Sequence, residues 1–196
     1  MLALQVRGKR ILVVGGGEVS FSPSHTNTPT SSVLISDAEG QVAAGRILNI
    51  LNADAKVTVI SPRSGLNSEV AYRIERGEVD YIDRKFEPSD LDAPHIAMVL
   101  TAVDDPEASS QIYKLCKEKR IPANIADVPP ECDFYFGSVH RDGPLQVMVS
   151  TNGNGPKLSN IVRRQIAASL PENIGDAIKK VGALRRKLRK VAPAPE

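Results

Sequence analysis

Short apolar runs alternate with segments of helical spacing along residues 9–127. Runs such as KVTVI at 56–60 are typical of strands that are buried on both faces of a parallel sheet. Between these runs, apolar residues recur every three or four positions, as at Leu66, Val70 and Ile74, which predicts amphipathic helices. The alternation predicts an α/β fold of the Rossmann type, built on a doubly wound parallel sheet.

The predicted elements follow one another closely up to residue 127. Strands are predicted at 9–14, 56–60, 79–82, 96–103 and 122–126, helices at about 37–52, 66–76 and 107–119, and a helical turn at 88–91. Beyond residue 127, two segments of strand character at 133–139 and 145–150 flank His140-Arg141-Asp142-Gly143, which predicts a β-hairpin because Asp-Gly is a turn signal. Basic helices are predicted at about 157–170 and 172–191.

Three glycines, Gly15, Gly16 and Gly17, directly follow the first predicted strand. In a dinucleotide-binding unit such a turn lets the backbone approach the diphosphate, which then faces the N-terminus of the next helix. The alternative is a glycine turn in another kind of α/β protein. The dinucleotide pattern continues into Glu18 and Val19 and then fails, because no helix begins there.

Residues 20–41 separate the glycine turn from the expected helix. The segment is rich in Ser, Thr and Pro and poor in large apolar residues, so we expect it to be disordered. If it is removed, Ala43 becomes the third small residue of the pattern. We therefore expect the insert to weaken or abolish dinucleotide binding. One hypothesis for its origin is a retained intron, since the codons possible at its ends include splice-site sequences.

The second strand ends in Ser61-Pro62-Arg63, whereas a Rossmann fold usually carries an acid there for the ribose 2′-hydroxyl. Ser61 and Pro62 are the predicted ribose contacts. Arg63 would suit a 2′-phosphate, so NADP stays open beside NAD. Thr101 and Ala102, at the end of the fourth strand, are expected beside the nicotinamide half.

The net charge of +2 hides a basic C-terminal region. Residues 157–190 are rich in Lys and Arg and contain only Glu172 and Asp176 as acids. The alternatives are a polyanionic partner and a solvated helix face. Because no aromatic residue follows Phe136, base stacking has no platform there, and a nucleic-acid binder is the weaker hypothesis.

Several protein classes are disfavoured by composition. No apolar run approaches the roughly 18 residues of a membrane span, so we expect no membrane partner. The N-terminus lacks the pattern of a secretory signal. Cys116 and Cys132 are too few for a disulfide framework or a zinc cage, so we interpret them as reduced thiols of a cytoplasmic protein.

The segments GGGEV, NIADVPPECDFYFG and LQVMVSTNGNGPKLSNIVRR resemble the precorrin-2 dehydrogenase/ferrochelatase family of sirohaem biosynthesis. This family comprises a stand-alone fungal enzyme and the N-terminal module of bacterial sirohaem synthase. The resemblance implies NAD-dependent oxidation of precorrin-2 to sirohydrochlorin, an oxidoreductase reaction. It also implies a ferrochelatase (lyase) step in which Fe²⁺ is a substrate, and a homodimer interlocked through its middle region.

The resemblance also implies a division of the chain and the roles of particular residues. An NAD-binding domain is expected at 1–127, a hairpin dimerisation region at 128–155, and a basic helical region at 156–196 that is truncated relative to fungal members. Asp127 matches the aspartate that serves both reactions. Its alternative is a cap or turn residue.

Lys157, Arg163, Arg164 and the cluster at 185–190 are predicted to bind the carboxylates of a tetrapyrrole, and Thr151 is predicted to line the substrate crevice. For Thr151, a turn residue is an equal alternative. His140 is interpreted as a hairpin-turn residue, and no dedicated metal site is assigned, although Asp127 could contact iron transiently. A non-catalytic dinucleotide sensor on the same fold is the other function considered.

Overall fold

A computed structural model of the protein describes residues 4–16, 42–103, 105–126 and 128–192. The chain divides into two compact units, Met1–Phe134 and Tyr135–Glu196. The predicted division after residues 127 and 155 stays a prediction. The insert at 20–41 and the predicted helix start near residue 37 lie outside the described residues.

The first unit contains a five-stranded parallel sheet of order β3-β2-β1-β4-β5. Its strands are β1 (Arg10–Val14), β2 (Lys56–Ile60), β3 (Asp80–Ile82), β4 (Ile96–Thr101) and β5 (Ala123–Ile125). Its helices are α1 (Val42–Leu51), α2 (Ser68–Glu75) and α3 (Pro106–Glu118), with 3-10 turns at Pro88–Asp92 and Pro129–Glu131. Because the chain moves outward from β1 in both directions, the predicted doubly wound α/β fold is confirmed.

Alternate residues of the strands pack on opposite faces of this sheet. Ile11 and Val13 of β1 contact the cluster that includes Ile47 of α1 and Val70 of α2. Leu12 and Val14 lie in the opposite cluster with Ile112 of α3. Both faces are therefore covered by helices, which explains why the strands read as continuous apolar runs.

The segment that follows β5 folds back along it. Asp133 donates its backbone N–H to the carbonyl of Ala123 at 2.8 Å, and the Asp133 carboxylate accepts the Ala123 N–H at 2.9 Å. The same carboxylate pairs with Lys117 of α3. Asn124 donates its side-chain amide to the carbonyl of Phe134 at 2.7 Å. Residues 133 and 134 thus form hydrogen bonds with β5 of the parallel sheet and are not part of a hairpin.

Two carboxylates couple the stability of this unit to pH. The Asp90 carboxylate accepts both terminal nitrogens of Arg84, at 2.8 and 2.5 Å, and this hydrogen bonding lowers the Asp90 pKa. For Asp133, burial acts to raise the pKa, but the hydrogen bonds from Lys117 and the Ala123 N–H outweigh it and the pKa is lowered. Both groups therefore stabilise the fold above their unfolded pKa values, near 3.9, and this stability is lost as the pH falls through the folded pKa values.

We expect Asp90→Asn to lower the urea midpoint of unfolding most at neutral pH. The difference from the parent should shrink as the pH falls through the folded pKa of Asp90, because the protonated carboxyl then resembles the amide. Urea titrations between pH 3 and pH 7 measure it. A difference that stays constant over this range would contradict the role assigned to the Arg84 pair.

The second unit contains an antiparallel hairpin and two helices: β6 (Ser138–Asp142), β7 (Leu145–Val149), α4 (Pro156–Ser169) and α5 (Ile174–Val191). The predicted first strand at 133–139 and the predicted turn at 140–143 were wrong in register. His140 pairs with Val147 within the strands, so it is not a turn residue. The turn is Gly143-Pro144, because β6 continues through Asp142.

The hairpin turn is fastened to the start of α5. Gly175 donates its N–H to the Asp142 carboxylate at 2.8 Å. A Cβ at Gly175 would lie 2.4 Å from an Asp142 carboxylate oxygen, so only glycine fits this contact.

None of the helices in the described ranges is long and apolar enough to cross a membrane.

Candidate functional site

The turn after β1 packs closely against the segment that follows β4 and against the residues that precede α2. Gly15 has φ +88°, and a Cβ there would lie 2.1 Å from the carbonyl oxygen of Ala102. A Cβ at Gly16 would lie 2.7 Å from a methyl carbon of Leu66, and the Gly16 carbonyl accepts the Asn67 N–H at 2.7 Å. The turn thus requires glycine at Gly15, where the obstacle is backbone, and it brings backbone without side chains to the carboxyl edge of the sheet.

A cavity of about 480 Å³ opens at this edge, beside the glycine turn and the first half of α3. Its size lies in the range of small-molecule and cofactor sites. Its position, outside the carboxyl ends of the strands, is where open α/β sheets bind ligands. The wall is largely apolar, and its polar side chains come from Ser61, Lys85, Asp105 and Gln111.

The structure brings together five of the predicted cofactor residues. The cavity wall includes Gly15, Gly16, Ser61, Pro62 and Ala102. Gly17, Glu18 and Val19 lie outside the described residues. The roles of all these residues stay predictions.

Thr101 differs from these five because it does not line the cavity. It is fully buried, and its carbonyl accepts a hydrogen bond of 2.5 Å from Arg46 of α1. The hydroxyl of Thr101 has no hydrogen-bond partner in the described part of the chain. Thr101 therefore contributes its backbone to the edge of the sheet, next to Ala102.

Sequence reasoning missed the part of the wall that comes from loops. Lys85, Phe86 and Pro88 follow β3, and Asp105 precedes α3. The Asp105 carboxylate accepts the N–H groups of Glu107 and Ala108 at 3.0 and 3.1 Å, which fixes the start of the helix. A usable signal was present, since an aromatic residue and a proline follow a predicted strand whose end lies at the ligand-binding edge.

Asp127 lies outside the described residues, but the structure describes the residues on either side of it. Ala126 donates its N–H to the carbonyl of Thr101 at 3.2 Å, next to the end of β4. The thiol of Cys132 donates to the carbonyls of Ile125 and Val128, at 3.2 and 3.4 Å. The chain on either side of residue 127 is therefore held at the carboxyl edge, whereas the role of Asp127 stays a prediction.

The two cysteines are free thiols with raised pKa values. Burial, and then the charge of Asp133, raises the pKa of Cys116 to about 11. Burial also raises the pKa of Cys132. Both side chains are therefore protonated near neutral pH, which does not suit a thiolate nucleophile.

The predicted substrate residues belong to the second unit. Arg163 is oriented by two contacts: its Nε donates to the Ser138 hydroxyl at 3.1 Å, and its Nη2 donates to the Asn160 side chain at 2.9 Å. The Thr151 hydroxyl accepts the Gly155 N–H at 3.1 Å, so Thr151 also shapes the loop before α4. Lys157 and Arg164 are exposed on α4, and the roles of all four predicted residues stay predictions.

Three family models match the chain. They are a putative NAD(P)-binding family over residues 30–138, a sirohaem biosynthesis protein central family over 142–169, and a sirohaem biosynthesis protein C-terminal family over 171–196. The first match begins beyond β1 and the glycine turn, within the predicted insert. The first match thus supports the predicted dinucleotide binding, but it does not distinguish NAD from NADP.

Curated relatives resemble most or all of the chain. A siroheme biosynthesis protein of Schizosaccharomyces pombe is 50% identical over 196 residues, covering 100% of this chain and 65% of that protein. The siroheme biosynthesis protein of Saccharomyces cerevisiae is 33% identical, covering 98% and 75%. The siroheme synthase of Thioalkalivibrio sulfidiphilus is 34% identical, covering 80% and 31%. The chain therefore spans less than two thirds of the first of these relatives, and about a third of the bacterial synthase.

A solved structure titled "SirC, precorrin-2 dehydrogenase" matches with a TM-score of 0.63 and 19% identity, covering 100% of this chain and 83% of that one. At this identity the likeness supports the fold. Together with the fungal relatives, the family models identify the chain: it belongs to the sirohaem biosynthesis protein family.

Proposed function

We propose that this protein is a precorrin-2 dehydrogenase that uses NAD to form sirohydrochlorin. The observation that carries the proposal is the cavity beside the glycine turn, in a chain whose family belongs to sirohaem biosynthesis. The oxidation removes two electrons and two hydrogens from the macrocycle. One hydrogen leaves as a hydride to the dinucleotide, and the other leaves as a proton to a base.

The residues of the cavity fit a dinucleotide. At Gly15 and Gly16 a Cβ would collide with its neighbours, so the backbone there is bare and open to a diphosphate. Ser61 and Pro62 would hold the adenosine ribose, and Ala102 would face the nicotinamide half. NAD supplies the hydride acceptor, while the chain positions it and excludes water.

Asp127 is the proposed base. Its neighbours lie at the carboxyl edge of the sheet, where a macrocycle could meet the nicotinamide. A carboxylate there could accept the proton released in the oxidation. In a second, ferrochelatase reaction the same carboxylate would receive pyrrole N–H protons as Fe²⁺, a substrate, enters the ring.

The substrate's carboxylates give the basic second unit a role. Arg163 is held by Ser138 and Asn160, so its planar guanidinium is oriented for bidentate contact with a carboxylate. Thr151, Lys157 and Arg164 are the other proposed contacts. A tetrapyrrole rather than nucleic acid is therefore the proposed polyanionic partner.

A homodimer and a cytoplasmic location complete the proposal. In the described residues, the hairpin β6–β7 is a two-stranded sheet, and no further strand of this chain pairs with it. The hairpin packs against α4 and α5, but its unpaired strand edges could still pair with a second subunit. The two free thiols suit a reducing compartment.

The test is an absorbance assay with precorrin-2 and NAD, run on the full chain and on a variant lacking residues 20–41. We expect the shortened variant to form sirohydrochlorin and the full chain to be at least about tenfold slower, because the insert separates the glycine turn from α1 and disturbs the diphosphate site. Adding Fe²⁺ to the same reaction tests for sirohaem formation.

Each result of the assay has a definite meaning. Equal rates for the two proteins would contradict the effect assigned to the insert. No turnover by either protein, with both folded and both binding NAD, would contradict the dehydrogenase. Sedimentation of the shortened variant as a monomer would contradict the homodimer.

A further inference from the structure

We propose that Lys85 recognises the 2′ position of the adenosine ribose and allows the site to accept NADP as well as NAD. The inference rests on the proposed dinucleotide binding and names the residue that sets cofactor choice. It follows from the position of Lys85 in the cavity wall, from the lack of an acid in the three residues after β2, and from the pairing of the neighbouring Arg84 with Asp90.

The sheet order places Lys85 on the ribose side of the cavity. In folds of this type, the residue at the end of β2 contacts the ribose 2′ group. β3 is the parallel neighbour of β2, with Ile60 opposite Ile82, so both strands end at the same edge. Ser61 donates its N–H to the carbonyl of Ile82 at 3.3 Å. Lys85 lines the same cavity as Ser61 and Pro62.

The remaining wall gives the adenine ring a place at this end. Phe86 and Pro88 come from the segment that carries Lys85, and Ala108 and Ile112 come from α3. These side chains form an apolar wall of the kind that planar rings occupy. A dinucleotide with its diphosphate at the glycine turn would then direct its adenosine half toward Lys85.

The ammonium of Lys85 is available, whereas the charge of the neighbouring Arg84 is paired. Arg84 is held by Asp90 through two hydrogen bonds. Asp105, which also lines the cavity, accepts the N–H groups of Glu107 and Ala108 at the start of α3. Lys85 itself forms no ion pair with any residue in the described ranges.

The residues that follow β2, Ser61, Pro62 and Arg63, include no acid, and Asp83, which accepts the Arg63 N–H at 2.8 Å, does not appear in the described cavity wall. A phosphate monoester carries about −1.5 to −2 charges at pH 7, and lysine is a common point-charge partner for it. The ribose 2′-phosphate of NADP would therefore find an attractive charge and no carboxylate at the usual position.

Arg63, the residue that the sequence suggested for a 2′-phosphate, does not line the cavity. Its backbone N–H donates to Asp83 at 2.8 Å. The positive charge of Arg63 acts to lower the pKa of the Tyr81 hydroxyl, but burial and Asp83 outweigh this effect, and the pKa of Tyr81 is raised. Arg63 is therefore a matched control: a cation on a neighbouring loop at the same edge, but outside the cavity.

The experiment compares the affinities of NADH and NADPH, followed by nucleotide fluorescence, for the parent, Lys85→Gln and Arg63→Gln. Each is prepared in the full chain and in the version lacking residues 20–41. We expect Lys85→Gln to reduce the NADPH-to-NADH affinity ratio about tenfold, as for loss of one charge-assisted contact. Arg63→Gln should leave the ratio unchanged.

Added salt supplies a second readout. The parent should lose NADPH affinity with rising NaCl more steeply than Lys85→Gln, because one charge pair is screened. An unchanged ratio in Lys85→Gln, or a changed ratio in Arg63→Gln alone, would overturn the inference while leaving dinucleotide binding intact. Failure of every version to bind either nucleotide would overturn the proposed function itself, and the inference with it.

Discussion

Asp127→Asn is expected to slow precorrin-2 oxidation by a factor of about 10²–10⁴, the usual contribution of a positioned general base. The amide keeps the size of the carboxylate but cannot accept the proton that leaves the macrocycle. NAD binding is assigned to other residues, the glycine turn and Ser61 of the cavity wall, so NAD affinity should show no comparable loss. Steady-state rates and NAD titrations, both with the substitution made in the version lacking residues 20–41, measure the two effects.

Asp80→Asn is a suitable control for this variant, since it also neutralises an aspartate of the first unit, but at an exposed position of β3. Its rate should match that of the parent. If Asp127→Asn retained the parental rate, the base would have to be another group. If neither the parent nor the variants turned over although NAD bound, a dinucleotide sensor would become the better description.

Gly15→Ala is expected to lower the free energy of unfolding by about 3–5 kcal/mol and to abolish dinucleotide binding. The new Cβ would lie 2.1 Å from the carbonyl oxygen and 2.7 Å from the carbonyl carbon of Ala102. These are backbone atoms of a buried segment, and the Ala102 N–H donates to the carbonyl of Val14 at 2.8 Å. Relief of the clash would therefore separate β1 from the chain that leaves β4. Urea unfolding and NAD titration measure the result.

Gly65→Ala separates the steric effect from the backbone effect. Gly65 has φ +81°, close to that of Gly15, but a Cβ there meets nothing within 4 Å. Its substitution should cost only about 1–2 kcal/mol, the penalty for a left-handed backbone. Equal losses in the two variants would mean that the close approach to Ala102 contributes nothing.

The sheet could be predicted from the sequence because its signals are local. The run KVTVI is β2 with the bounds expected, Lys56–Ile60. The glycine turn was equally visible, and the cavity beside it includes Gly15, Gly16, Ser61, Pro62 and Ala102. In each case a short apolar run, together with the residues that end it, determines the local structure.

The hairpin register and the loop wall depend on contacts distant in sequence. The alternation in DFYFGSV at 133–139 suggested a strand, but Asp133 and Phe134 bond to Ala123 and Asn124 of β5 instead. Lys85 and Phe86 reach the cavity only because β3 lies beside β2 in the sheet. No local pattern specifies that neighbour relation.

The pairing of Asp133 with Ala123 has a consequence for aggregation. Both backbone groups of Ala123 are occupied from within the chain, on the side of β5 that faces away from β4. A strand from another molecule would have to displace these hydrogen bonds before it could pair with β5. Edge-to-edge association of sheets is therefore blocked on that side. Loss of this short segment should therefore expose the β5 edge to pairing with another molecule.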